Sequence, residues 1–201
     1  LSAEKEFTFK FDTEAPTGAY GEHKLIGNGN FEAGSITDTV LATKIKELAP
    51  STDYSKLGLL AGGKALTIQS VTGNKVVFTP TISEGRHNYM LYRKGASLIY
   101  NASGNWVVKG VAHDEGIGVK EVKVTVTVSG SSETLTIPES SLVSSLSGLW
   151  AWEGQIDLST LSDGKGSLSY EITDKLGNKY TPSSIEVRVK NKPVKISKVI
   201  L

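Results

Sequence analysis

The sequence predicts an all-β protein made of two β-sandwich units in tandem. Apolar and polar residues alternate along several short segments, and turns rich in Gly, Ser and Asp separate those segments. An aromatic residue, a glycine and an acid also occur twice in the same order. A length of 201 residues allows one or two domains, and the repetition favours two.

The second predicted unit, residues 99–201, has the clearest strand patterns. Apolar residues occupy every second position near the end of the stretch from Val119 to Val128. Similar alternation predicts strands at Trp106 to Ala112, Trp150 to Leu158, Leu168 to Ile172 and Ile185 to Val189. Six or seven short strands in about 100 residues are the number expected of an immunoglobulin-like sandwich.

The first predicted unit, residues 1–98, is a more divergent sandwich. Its residues 1–14 are predicted to be a linker and the last strand of a preceding unit, since Phe7 to Phe11 alternate and Pro16 then stops the pattern. The segment from Lys44 to Leu48 is predicted to form a helical turn. Ala65 to Val71 and Val76 to Thr81 predict a hairpin, because a Gly-Asn turn separates them.

The two predicted units share a similar stretch of sequence. The step from Gly34 to Asp38 resembles the step from Gly110 to Asp114. The first unit lacks an obvious closing strand, and two segments are candidates for that place. Either Ser97 to Tyr100 closes it, or Phe7 to Phe11 folds back onto the exposed edge.

Several motifs of the second unit resemble the tandem bacterial Ig-like repeats of secreted and cell-surface proteins. They include Gly110-Val111-Ala112-His113-Asp114-Glu115-Gly116-Ile117, Ile156 to Gly164, Tyr170 to Asp174 and Gly177-Asn178, with Asp12 to Thr17 similar to the linker between such repeats. The resemblance is good over most of residues 102–190 and loose over residues 12–100. It implies an extracellular or cell-surface array, often adhesive and usually without catalysis.

Composition narrows the possible partners. The 22 Lys and Arg residues nearly balance 21 Asp and Glu residues, which gives no indication of nucleic-acid binding. The chain has no cysteine, so it has no disulfide and no thiolate metal ligand. No apolar run approaches the roughly 20 residues of a membrane-spanning helix. Similar strand-and-linker patterns at both ends predict a piece of a longer polypeptide.

No catalytic residue and no cofactor are predicted. The three histidines, His23, His87 and His113, show no metal-binding spacing, and no Gly-x-Ser-x-Gly nucleophile motif occurs. A glycosidase could use two carboxylates, but the available ones are expected to cap turns at the ends of the sandwich. These are Asp114, Glu115, Asp157, Asp163, Glu171 and Asp174.

No metal ligand is assigned either. A calcium ion between turn carboxylates at a domain junction remains an alternative, although the chain has no Asp-x-Asp-x-Asp-Gly loop. Because the turn at Gly110 to Asp114 matches the turn at Gly34 to Asp38, Asp114 is interpreted as a structural residue.

Trp150 and Trp152 are the candidate ligand-binding residues. Their two-residue spacing points both rings to one face, where a core position competes with an exposed sugar-binding position. The predicted function is that of a non-catalytic pair of Ig-like modules, a spacer or an adhesin, with an unknown protein or glycan partner at the cell surface. The alternative is a carbohydrate-binding accessory module of a secreted enzyme, suggested by Gly27 to Gly34 and Gly62 to Ile68, which resemble parts of jelly-roll modules.

Overall fold

A computed structural model describes residues 12–96, 98–100, 104–146 and 148–191. These residues form a nine-stranded sheet, a six-stranded sheet, one α-helix and one short 3₁₀ turn. The predicted all-β class is confirmed. No helix within these ranges combines the length and the apolar character that a membrane crossing requires.

The first part of the chain carries six strands and the helix. They are β1 (Thr17–Glu32), β2 (Ser35–Thr37), α1 (Thr39–Leu48), β3 (Leu57–Ala61), β4 (Lys64–Thr72), β5 (Lys75–Thr79) and β6 (Gly85–Lys94). The second part carries the remaining strands and the 3₁₀ turn at Glu139–Ser141. These strands are β7 (Leu98–Tyr100), β8 (Asn105–His113), β9 (Val119–Val128), β10 (Ser131–Pro138), β11 (Val143–Leu146), β12 (Leu149–Asp157), β13 (Gly164–Asp174), β14 (Lys179–Tyr180) and β15 (Ile185–Lys190).

The first part folds as a closed barrel. Its strands pair in the order β1-β2-β5-β4-β3-β6, and β6 returns to pair with β1. Helix α1 begins where the Asp38 carboxylate accepts a hydrogen bond from the Leu41 amide at 2.9 Å, which is an N-terminal cap. Its buried residues Leu41, Ala42 and Ile45 join the apolar core of the barrel.

Two local predictions for this part are confirmed. The helical turn expected at Lys44 to Leu48 is the last part of α1, and the Gly-Asn hairpin is the antiparallel pair β4–β5. Strand β3 has no counterpart in the predictions, because all five of its residues are buried and the alternation that marks a half-exposed strand does not occur.

The tandem of two Ig-like sandwiches is not confirmed. Residues 21–94 pair as a ring with a helix, whereas a sandwich needs two facing sheets. The two matched acids also differ in role, since Asp38 caps α1 and Asp114 lies in the turn that follows β8.

Neither candidate for the closing strand is seen to close the barrel. The segment Leu98–Tyr100 is β7, and it pairs in parallel with β15 of the second part. Phe7 to Phe11 lie outside the described residues.

The second part is a sandwich of two sheets. One sheet has the order β11-β12-β8-β1, and the other has the order β10-β9-β13-β15-β7. Alternate residues of both sheets meet in a shared core, for example Val108 and Trp152 from the first sheet and Val124 and Leu168 from the second. The described chain enters the sandwich at Asp12, beside the end of β8, and leaves it at the opposite end, where β13 begins.

Strand β1 belongs to both parts. Its residues Thr17 to Tyr20 pair with β8, and its residues from Gly21 onward pair with β6. A side chain at Gly21, which has φ +153°, would overlap the Arg93 carbonyl oxygen, so glycine is required where the strand passes from one sheet system to the other. The predicted boundary between residues 98 and 99 stays a prediction, but the pairing of Thr17 to Tyr20 crosses it.

A third apolar core joins barrel and sandwich. Residues from the outer face of the sandwich sheet pack against residues of the barrel wall. The buried members of this core are Ala19, Leu60, Met90, Tyr92, Val111 and Leu149. The two parts therefore lie side by side and share buried surface as well as a strand.

Candidate functional site

Three aspartates meet at the end of the sandwich where the described chain enters. They are Asp12 from the entering segment, Asp114 from the turn after β8 and Asp174 from the end of β13. Each offers a carboxylate oxygen, and these oxygens lie within 4.8 Å of one another. We call these three residues the aspartate cluster. It is the one group of three or more potential metal ligands found in the described parts of the chain.

Asp174 is satisfied by the turn that follows it. It is fully buried, and its Oδ1 accepts hydrogen bonds from the amides of Leu176 and Asn178, both at 2.8 Å. Its Oδ2 accepts a hydrogen bond from the Asn178 side chain at 2.6 Å. The sequence motif Asp-x-x-Gly-Asn is therefore a turn in which the aspartate caps backbone amides.

Asp12 connects the entering segment to two loops. Its Oδ2 accepts a hydrogen bond from the Ile117 amide at 3.0 Å, and its carbonyl oxygen accepts one from the Asn178 side chain at 3.2 Å. Its Oδ1 accepts a bond from the Glu14 amide at 3.1 Å. The sequence interpretation treated this residue only as part of a linker, and its proximity to Asp114 could not be read from positions about a hundred residues apart.

Asp114 differs from its two neighbours. It is only 7% exposed, and its Oδ1 accepts a hydrogen bond from the Gly116 amide at 2.7 Å. Its Oδ2 is buried and has no hydrogen-bond partner among the described residues. Burial raises the pKa of the Asp114 carboxyl above its ordinary value. The Gly116 amide and, more weakly, the Gly118 amide oppose this increase, and Asp12 and Asp174 add to it.

His113 and Glu115 flank Asp114 at the junction with the barrel. His113 is 3% exposed, and its Nε2 lies 3.6 Å from a Glu115 carboxylate oxygen. Burial lowers the pKa of the His113 imidazole, while the Glu115 carboxylate partly opposes that change. Both residues line an open cleft of about 310 Å³, together with Asp12, Asp114 and the barrel turn at Gly62 and Gly63.

The other two histidines, His87 and His23, lie on barrel strand β6 and on β1. His87 on β6 contacts the Ser83 carbonyl oxygen through Nε2 at 2.9 Å, and it shares a second small cleft with His113. His23 is exposed on β1 and lines a different cleft. The histidines add no member to the aspartate cluster.

The remaining carboxylates are not all turn caps, since Glu171 lies on β13 and pairs with Lys179 at 2.9 Å. Asp157 accepts a hydrogen bond from the Ser159 amide at 2.9 Å, and Asp163 accepts one from the Asn191 amide at 2.8 Å, both at the end where the described chain leaves. The nine residues of β8 separate this end from Asp114, which corresponds to about 30 Å. Glycosidase carboxylates are about 5 to 10 Å apart, so Asp157 and Asp163 cannot pair with Asp114 or Asp174.

The two candidate tryptophans occupy different positions. Trp152 is 2% exposed, its ring centroid lies 6.0 Å from that of Tyr170, and it covers Gly110, where a side chain would overlap the indole. Trp150 is half-buried against the sandwich core and lies beside Gly118 at the end that carries the aspartate cluster. The structure thus places Trp152 in the core, and ligand binding by Trp150 stays a prediction.

Comparisons with known proteins add little. No family model and no curated protein matches the chain. Among solved structures, an endo-β-1,4-mannanase from Thermotoga petrophila aligns with 51% of this chain and 19% of its own, at 17% identity and a TM-score of 0.34. A GH2 β-galacturonidase from Eisenbergiella tayi bound to galacturonate aligns with 90% of this chain and 35% of its own, at 11% identity and a TM-score of 0.27.

A third solved structure is a putative β-galactosidase from Bacteroides fragilis. It aligns with 87% of this chain and 32% of its own, at 6% identity and a TM-score of 0.25. The chain thus spans between about a fifth and about a third of the length of these structures. TM-scores this low support no inference about function.

Proposed function

We propose that the chain is a non-catalytic structural module of a larger bacterial surface or secreted protein, in which it acts as a spacer or an adhesin. The observation that carries this proposal is β1, a single 16-residue strand that pairs with both the sandwich and the barrel. Because the strand continues through both parts and a third core joins them, the module holds one fixed shape.

The path of the chain suits a load-bearing role. Tension between residues 12 and 191 acts along the strands, because the described chain enters and leaves the sandwich at opposite ends. Interstrand hydrogen bonds are perpendicular to the strands, so such tension loads the bonds of β1 with β8, and those of β15 with β13, together. Bonds that share a load in this way resist it better than bonds that open one after another.

We also propose that the sandwich is of the Ig-like kind. Two sheets with mostly antiparallel pairing enclose one core, and the motifs that resemble Ig-like repeats lie at its strand ends and in the turns that follow them. On this interpretation the barrel is an insertion between the first sandwich strand and the rest.

Single-molecule pulling tests the spacer role. A cysteine added at each end of the chain provides two unique handles, since the sequence has none. The proposal predicts one unfolding event, after which the 180 residues from 12 to 191 span up to about 650 Å at roughly 3.6 Å each. Two separate events of unequal force, one for each part, would contradict it.

A carbohydrate-binding role is the second candidate. It is favoured by Trp150, whose half-buried ring lies beside Gly118 at a loop-bearing end of the sandwich, where the Lys175 side chain also approaches Gly118. An aromatic face beside polar groups is a surface that sugars can stack on. Retention of the protein on immobilised polysaccharides, lost in Trp150→Ala while the fold persists, would support this role against the spacer. If the wild-type protein were retained on none of the polysaccharides, the carbohydrate-binding role would be contradicted.

A further inference from the structure

We propose that the aspartate cluster is a calcium site that fastens the entering segment to the end of the sandwich. The three carboxylates come from positions far apart in the sequence, and the fold brings one oxygen of each within 4.8 Å of the others. Two carboxylates would repel one another at such distances in neutral solution, and three do so more strongly. A bound cation would convert this repulsion into attraction.

The buried oxygen of Asp114 points independently to a missing ligand. Asp114 is 93% buried, and its Oδ2 has no hydrogen-bond partner among the described residues. Buried polar atoms are almost always paired, because leaving one unpaired costs the full penalty of removing it from water. An oxygen of this kind within a group of acids needs either a proton or a cation.

Backbone amides already hold the carboxylates. The Gly116 amide binds Asp114 Oδ1, the Gly118 amide acts more weakly on the same carboxylate, and the Ile117 amide binds Asp12. The side-chain nitrogen of Asn178 binds both Asp174 Oδ2 and the Asp12 carbonyl oxygen. These bonds orient the carboxylates and restrict their rotation, so the ligand oxygens are held in place before any ion arrives.

The chemistry of the cluster favours calcium. All three side chains offer oxygen, which hard cations prefer, and the cluster includes no nitrogen or sulfur ligand of the kind that zinc uses. Calcium binds oxygens at about 2.3 to 2.6 Å, so two of its ligands can be about 5 Å apart. Magnesium requires about 2.1 Å and a stricter octahedron, which oxygens separated by up to 4.8 Å satisfy less well.

The position of the site gives it a structural consequence. Asp12 precedes β1, and through it a bound ion would connect this segment to the turns after β8 and β13. In the proposed module, tension reaches the sandwich through this segment. The calcium proposal does not depend on that role, because it concerns binding by the isolated chain.

Calorimetric titration of the EDTA-treated protein with CaCl₂ tests the proposal. We expect one ion per chain, a Kd of about 0.1 to 1 mM as in extracellular calcium modules, and a rise of several degrees in the melting temperature. Asp12→Asn and Asp114→Asn should each weaken calcium binding at least tenfold. Asp157→Asn is the matched control, since Asp157 also caps a turn but lies at the opposite end of the sandwich, and its Kd should equal that of the wild type.

Circular dichroism of each variant establishes that it is folded. If Asp114→Asn does not fold, Asp12→Asn decides the outcome, because Asp12 precedes the first strand. The absence of binding heat in the wild-type protein, or an unchanged Kd in folded Asp12→Asn, would overturn the proposal. Equal affinity for MgCl₂ and CaCl₂ would overturn the assignment to calcium.

Discussion

The barrel and the sandwich differ in whether the edges of their β-sheets are paired. The barrel pairs its last strand with its first, so that β1 and β6 have partners within the ring. The sandwich remains open, and the barrel covers the outer face of one of its sheets. The barrel therefore forms a wall against the sandwich, and the two parts depend on the same strand, β1.

The same comparison suggests that the two parts fold as one unit. A strand that belongs to both sheets cannot leave one without disturbing the other, and the third core would be exposed to water if either part unfolded. Substitutions in each of the three cores test whether the two parts unfold together.

Removing the indole from the sandwich core should have the largest effect. Trp152→Ala takes away a side chain that is 2% exposed and packs against Tyr170, and it should reduce the free energy of unfolding by about 4 kcal/mol. Urea denaturation of the variant measures the loss. Trp150→Ala is the control on the same face of the strand. Because this ring is only half-buried, its loss should reduce the free energy of unfolding by less. An equal reduction would contradict the prediction.

Damage to the barrel core should be somewhat smaller. Leu41 on α1 is completely buried, and Leu41→Ala should lower the free energy of unfolding by about 3 kcal/mol. The adjacent Val40 is 64% exposed, so Val40→Ala should change it by less than about 0.5 kcal/mol. Thermal and urea denaturation measure both variants. Similar losses of stability in Leu41→Ala and Val40→Ala would contradict the prediction.

The third core can be tested on the outer face of β8. Val111 is fully buried between sandwich and barrel, and Val111→Ala should cost about 2 kcal/mol. Val107 lies on the same face of the same strand but is 39% exposed, so Val107→Ala should be nearly neutral. A neutral Val111→Ala in urea denaturation would mean that the contact between the two parts contributes no stability.

The smallest predicted effect comes from Asp38, which caps a helix, unlike its sequence counterpart Asp114. Asp38→Ala removes the cap of α1 and the acceptor of the Tyr89 hydroxyl, which lies 2.8 Å from Asp38 Oδ2, and should cost about 1 to 2 kcal/mol. Hydrogen exchange should report faster exchange at the first turn of α1. If protection there were unchanged, the cap would not stabilise the helix.

The sequence allowed much of the sandwich to be predicted and little of the barrel. The strand at Val119 to Val128 faces a core on one side, so its alternation was visible, and the β4–β5 hairpin was visible because its turn is local. In contrast, β3 is buried along its whole length. The split of β1 depends on pairing between Tyr20 and Gly110, 90 positions apart, which no local pattern encodes.

The candidate site shows the same limit. The turn-capping roles of Asp114 and Asp174 could be predicted from the residues that follow them, because each binds an amide two positions later. Their convergence with Asp12 results from the topology of three separate segments. Sequence reasoning therefore identified Asp114 and Asp174 as turn residues and kept calcium between turn carboxylates as an alternative, but it did not include Asp12.

The central claim is that barrel and sandwich unfold as one cooperative unit. All three tryptophans, Trp106, Trp150 and Trp152, lie in the sandwich, so tryptophan fluorescence reports its unfolding without a contribution from the barrel. Urea denaturation of Leu41→Ala, followed by this fluorescence, tests the claim directly. We expect the stability measured in the sandwich to fall by about 3 kcal/mol, although the change lies in the barrel. An unchanged fluorescence midpoint, together with lost hydrogen-exchange protection in α1, would contradict the claim.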